Sequence, residues 1–375
     1  VYGTTTFNSA ITGKGKLNLN GTVNLSGTVA DEQAVTVSAI LNMLANSALT
    51  LGANDSWSSN STINLKGGSL VYNLTNANAG SSILNAETGS FTLAGGTLNM
   101  AASSLIADAV VTKLTGGIMN VQGGSVTLTD GDSWTSTTIN LSNGKLTYGL
   151  TSNGKLVATA GALDILDAGR LTISSGSSIS ADTKVNLAGN VVVDGGSVVL
   201  NSGDTWNGLV SANSGSFTYN GNTNSKQEIN KNMLVVTGAT NITLSNAIIN
   251  LIDKTPTFET TNLGTLKAGD GVNIKIDFDG TQSDIISVAA GSSGNLIISE
   301  LGLPVGMKPT SETNVEILVL KRANTSDNIK LVLPEEVANL YRTDIGVIDF
   351  LADNVYKIYN DTYLGTKGVM LNKTA

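Results

Sequence analysis

Between Leu49 and Val126 apolar and polar residues alternate in short, closely spaced runs: LTL, TINL, SLVYNL, SSIL, SFTL, TLNM, SLIA, VVTKL and IMNV. Glycine-containing breaks such as KGG, ETG, AGG, TGG and QGG punctuate them. Runs of this length with period two and such breakers predict strands. Nine strands in this stretch, at three per turn, predict three coils of roughly 25 residues, the rung size of a parallel β-helix. Alternate Leu, Val, Ile and Thr side chains then face a bore that one coil cannot close alone. Stacked coils close it through parallel ladders about 4.8 Å apart. In TINL (Thr62 to Leu65), TTINL (Thr137 to Leu141) and KVNL (Lys184 to Leu187), Ile or Val and Leu are read as pointing in. Asn points out, where stacked asparagines can hydrogen-bond from coil to coil.

A larger period overlies the strands. Gly123 to Leu150, Gly195 to Gly221 and Ala45 to Leu74 are copies of one stretch. The only tryptophans, Trp57, Trp134 and Trp206, hold the same place in each, at nearly equal spacing. Each follows an aspartate by two positions (Asp55, Asp132, Asp204) and precedes a tyrosine (Tyr72, Tyr148, Tyr219). The repeat predicts that the tryptophans are structurally equivalent, three coils apart, and on one side of the solenoid. Residues 1–229 are thus read as a repetitive β-helix of three tandem repeats of about 75 residues. Two more strands, in KLNLNGTVNLSGTV (Lys16 to Val29), and a strand pair in VTVSAILNMLA (Val35 to Ala45) precede or open them.

Beyond about Asn222 the large repeat fades, although NITLSNAIINLI and GVNIKIDFDG still alternate. All four prolines (Pro256, Pro304, Pro309, Pro334) lie here. Pro334 to Tyr341 is the best short-helix candidate, with Pro at a first-turn position and Glu335 and Glu336 at the positive end. Residues 230–375 are read as a continuation of the β-helix and its cap, because a solenoid end exposes strand edges and an apolar bore. The predicted whole is all-β, about 14 to 16 coils and roughly 70 Å long at the ladder spacing.

Composition then narrows the chemistry. Charged residues are 13% of the chain, about half the usual share, so Ser, Thr and Asn must supply the polar surface. The net charge of −8 disfavours nucleic acid and anionic membranes. The absence of Cys and His excludes disulfides, thiolate or His-ligated metal sites and His-based proton transfer, and leaves only carboxylate catalysis. No 18-residue apolar run spans a membrane as a helix. Val1 to Phe7 reads as a strand cut from a longer sequence.

The segments VNIKIDFDGTQSDIISVAAGSSGNLIISEL (Val272 to Leu301), NVEILVLKR and DNVYKIYNDTYLGTKGVML carry a resemblance. In the order of their strands, Asp steps and Gly turns they resemble the tail of autotransporter passenger domains, the surface parts of type V secreted proteins of Gram-negative bacteria. The upstream Gly/Asn/Thr/Ser repeats are similar to passenger β-helices as well. The resemblance implies a right-handed parallel β-helix on the cell surface, commonly adhesive, with its last coils as folding nucleus and cap. It implies an outer-membrane barrel outside this segment, which itself does not insert in the membrane.

Two sets of residues stand out as candidate sites. Trp57, Trp134 and Trp206 are read either as glycan-stacking aromatics or as packing residues at a corner of the bore. Asp277, Asp279 and Asp284 form the densest acid cluster. They are read as a solvated face with turn hydrogen bonds, against a Ca²⁺ site or a glycosidase carboxylate pair. The Thr-rich strands keep no ladder of the kind an ice-binding face needs. The expectation is a non-catalytic surface adhesin or structural protein without cofactor. Its partners would be surface glycans or proteins, or further copies of itself, and not nucleic acid. The alternatives are a polysaccharide-degrading β-helix enzyme and a self-assembling filament or surface-layer subunit.

Overall fold

In the computed structural model the described residues are all-β. The structure describes residues 3–30, 33–253, 255, 257–277, 283–302, 315–323, 328–332, 355–361 and 370–371. The helix candidate 334–341 and Asp279 lie outside the described residues. Parallel strands stack as a β-solenoid of about 14 turns. The chain divides into two compact units, residues 1–192 with 204–208, and residues 193–203 with 209–375.

In the first unit one column of buried side chains follows the strand register through nine turns: Leu25, Met43, Leu65, Ala86, Ile106, Val126, Leu146, Leu163 and Val185. Each is at most 1% exposed, so the bore is continuous and dry of polar side chains along this line. Burying one such Leu or Ile stabilises the stack by roughly 1.5–3 kcal/mol. The outward neighbours form the complementary column. Asn42 donates to Asn24 at 2.8 Å, Asn64 to Asn42 at 2.8 Å and Asn85 to Asn64 at 3.3 Å. A second ladder joins Asn140, Asn120 and Asn99, with both links at 2.8 Å.

Several strands run on through a corner, where the pairing of Thr62–Tyr72 with Ile83–Leu93 shifts register. Thr62–Tyr72 and Ile83–Leu93 each serve two walls of the bore. Gly89 makes one such corner: its φ of +106° is closed to most side chains, and an added Cβ would collide with the Gly68 carbonyl of the rung below.

The rung is shorter than the sequence pattern predicts, and the repeat does not close on whole turns. From Ala48–Leu51 to Ile118–Val121 the first copy contains eleven arms. Over three walls these make three and two-thirds turns of about 21 residues, the offset between the stacked Asn99 and Asn120. The pattern of alternation misses two arms because neither alternates: the two-residue arm Ser56–Trp57, and the arm at Asn78, which contains no strand. Each copy therefore begins one wall round from its predecessor. Trp57 stands on the column Leu19–Val37, Trp134 on Leu51–Tyr72–Leu93–Leu114, and Trp206 on Leu128–Tyr148–Ile165–Leu187. These columns belong to three different walls. The expectation that the tryptophans share one side, three coils apart, is thus corrected.

In the second unit the turns lengthen to about 25 residues, the offset between Glu259 and Asp284. The columns Phe217–Ile242–Leu266 and Ile249–Ile274 follow this longer turn. Among the described residues the last parallel pairing joins Asn328–Val332 to Ser293–Gly302, and antiparallel strand pairing first enters at Val315–Arg322. That strand pairs in parallel with Ile285–Val288 and antiparallel with Val355–Asp361.

Candidate functional site

The tryptophan arms are built from the aspartate upward. Asp55 Oδ1 accepts from Val35 N of the previous rung and Oδ2 from Gly52 N of its own turn, both at 2.6 Å. Asp132 does the same with Thr112 N at 2.7 Å and Thr129 N at 2.9 Å. Asp204 accepts from Val185 N at 2.8 Å. The carboxylate thus staples a turn to the rung below, and desolvation by burial pushes the Asp132 carboxyl above its ordinary range. The indole two residues on points into the bore. Trp57, Trp134 and Trp206 are 4%, 0% and 1% exposed, so no ring face lies at the surface for a sugar to stack on. Trp134 and Trp57 meet Tyr148 and Tyr72 edge to face, with ring centroids 5.9 and 6.4 Å apart. Trp134 Nε1 donates to Thr137 O at 2.7 Å and Trp206 Nε1 to Gly208 O at 2.9 Å, whereas the buried Trp57 Nε1 finds no acceptor.

Sequence reasoning passed over Asn78 and Asn153, which replace a strand with one side-chain amide. Asn78 Oδ1 accepts from Asn99 N at 2.7 Å, and its Nδ2 donates to Asn99 O at 3.0 Å. Asn153 makes the same pair with Thr172, at 2.7 and 2.8 Å. The signal was present as an asparagine five or six positions after the repeat tyrosine in both copies. Tyr72 OH donates to Thr97 O at 2.6 Å beside Asn78, and burial pushes this phenol up to about 12.

Of the acid cluster, Asp277 and Asp284 are buried rather than part of a solvated face. Asp277 and Asp284 are 0% and 3% exposed. Their carboxylates are drawn inward by main-chain donors. Asp284 Oδ2 accepts from Asp277 N at 2.8 Å and Oδ1 from Glu259 N at 3.1 Å, while Asp277 Oδ2 accepts from Asp253 N at 2.9 Å. Desolvation, reinforced by the Asp277 and Asp253 charges, pushes the Asp284 carboxyl up to about 6. The pair therefore fixes both ends of the stretch from Asp253 to Glu259.

A cleft of about 360 Å³ lies between Leu234–Val236 and Thr260–Asn262, with Lys231 and Glu259 at one end. Lys231 Nζ meets Glu259 Oε2 at 3.2 Å and also binds Asp253, whose carboxyl it holds well below the usual carboxylate range. Asn232 and the half-exposed Val235 complete the lining. The cleft joins hydrogen-bonding groups, the apolar residues Leu234, Val235 and Val236, and a lysine held between two carboxylates.

The class these features define is a parallel β-solenoid with a closed apolar bore, polar amide ladders outside and a cleft in its second unit. No family model and no curated protein matches the chain. Among solved structures it is similar to a TibC-catalysed, hyper-glycosylated TibA fragment, with 17% identity over 87% of this chain and 97% of that one. The TM-score is 0.20, a likeness that carries no weight for function.

Proposed function

We propose that this chain is the non-catalytic, surface-displayed part of an adhesive or structural protein, working as a β-solenoid that presents largely neutral polar walls. One observation carries the reading: the outward columns include uncharged amide ladders such as Asn24–Asn42–Asn64–Asn85, while the aromatics of the repeat are turned into the bore. A ladder of identical groups repeated at each rung offers many weak hydrogen bonds in register. That suits a glycan, a protein surface or a second copy, and gains strength by multivalency. The burial of Asp277 and Asp284, with main-chain donors on both, supports a structural role for the acids over a hydrolytic one. The passenger-like order of the last strands supports display at a bacterial outer surface, anchored by a barrel outside this segment.

The test is display of the chain on a non-adherent Gram-negative host. Antibody access without permeabilisation, and cell–cell or cell–substratum attachment that the parent strain lacks, are expected. Reducing-sugar release from a glycan panel without attachment would overturn the reading in favour of an enzyme.

A further inference from the structure

The cleft is a place where the ladder is parted, and the pattern of hydrogen bonds shows what is missing. In a parallel ladder a residue directs both its N–H and its C=O to one neighbour, and the next residue turns to the other. Val210 N donates to Met233 O and Thr237 N to Ala212 O, so Met233, Val235 and Thr237 serve the strand Leu209–Asn220. Ile285 N donates to Glu259 O and Leu263 N to Ser287 O, so Glu259, Thr261 and Leu263 serve Ile285–Val288. The main-chain groups of Leu234, Val236, Thr260 and Asn262 consequently point across the cleft at each other. Among the described residues neither strand has a partner on that side.

We infer that this cleft is a slot for one extended peptide strand from a partner protein, added in parallel between Leu234–Val236 and Thr260–Asn262 and hydrogen-bonded to both edges. The inference stands on the pairing pattern and does not rest on the adhesive reading. The register allows it. Val236 is buried, and Thr261, in register with the buried Ile286, is half-buried; along the chain they are separated by one turn of this unit. A guest residue level with both would point into the bore, and its neighbours outward beside Val235 and Thr260. The guest is therefore alternating and β-branched, with an apolar centre and polar flanks. It also carries no acidic residue, because Lys231 is already held by two carboxylates, Asp253 and Glu259, which leave that end of the cleft net negative.

The experiment uses the full chain, hydrogen exchange read by NMR, and a blocked fluorescent TTVTT peptide as probe. The amides of Leu234, Val236, Thr260 and Asn262 are expected to exchange freely in the unliganded protein. They should slow at least 10-fold as the probe saturates. A probe with proline in place of the two inner threonines should bind at least 10-fold more weakly, since it lacks two N–H donors. Protection of these four amides without probe would overturn the inference: the slot is then closed, or, if protection grows with protein concentration, filled by a second copy. Absent saturable binding, equal binding of the proline probe, or protection by chitohexaose in place of the peptide would overturn it equally.

Discussion

Replacing Asn78 by Ala tests how a solenoid turns a corner without a strand. Asn78 is 2% exposed and satisfies both main-chain groups of Asn99 with one amide. Alanine leaves that N–H and C=O without their partners at a part-buried site. Each buried group so orphaned costs about 1–3 kcal/mol, so the pair costs about 2–6 kcal/mol. The Tyr72 hydroxyl, 3.3 Å from Asn78 Oδ1, loses a neighbour as well. Asn85→Ala is the internal control. Asn85 also caps a neighbouring amide, but from the outward ladder, where its loss removes a side-chain donor and leaves the main-chain pairing intact. Its cost should stay within about 0.5 kcal/mol. Urea melts of both variants give the difference, and hydrogen exchange at the Asn99 amide locates it. If Asn78→Ala melts with Asn85→Ala, the side chain is not standing in for a strand, and the account of the eleven-arm repeat loses its support.

Trp57→Phe should cost less than Trp134→Phe by about 1 kcal/mol or more in the same melts, because only Trp134 forfeits an indole hydrogen bond. Gly89→Ala, at positive φ against the Gly68 carbonyl, should lower the urea midpoint sharply, while Gly80→Ala, in open space, should leave it in place. The carboxyl of Asp284 is raised to about 6 in the fold from 3.8, so its protonated form is favoured there. Its contribution to stability is full below pH 4 and is lost as pH rises through about 6. Stability should therefore climb between pH 7 and pH 5, and Asp284→Asn should flatten that part of the profile in melts taken across it.

Much of the architecture was legible along the chain because it is local. A period-two run with Leu, Val or Ile at alternate places makes an arm wherever it occurs, and glycine marks the corner between arms. Asn between Ile and Leu in TINL points outward by the same alternation, so the ladders followed from parity alone. The repeat of Asp, Trp and Tyr was visible as composition. Its phase around the bore was not, because it depends on counting arms that have no alternation to read, the pair Ser56–Trp57 and the lone Asn78. Two missed arms in eleven turn a three-coil repeat into one of three and two-thirds, and move each tryptophan to a new wall. The burial of Asp277 and Asp284 was likewise beyond the sequence. Their partners, the amides of Asp253 and Glu259, lie on a neighbouring rung, and only stacking brings them within 3.1 Å. The cleft was hidden for the converse reason. Leu234–Val236 and Thr260–Asn262 look like ordinary arms one turn apart, and whether two such arms pair is decided by the path of the chain between them.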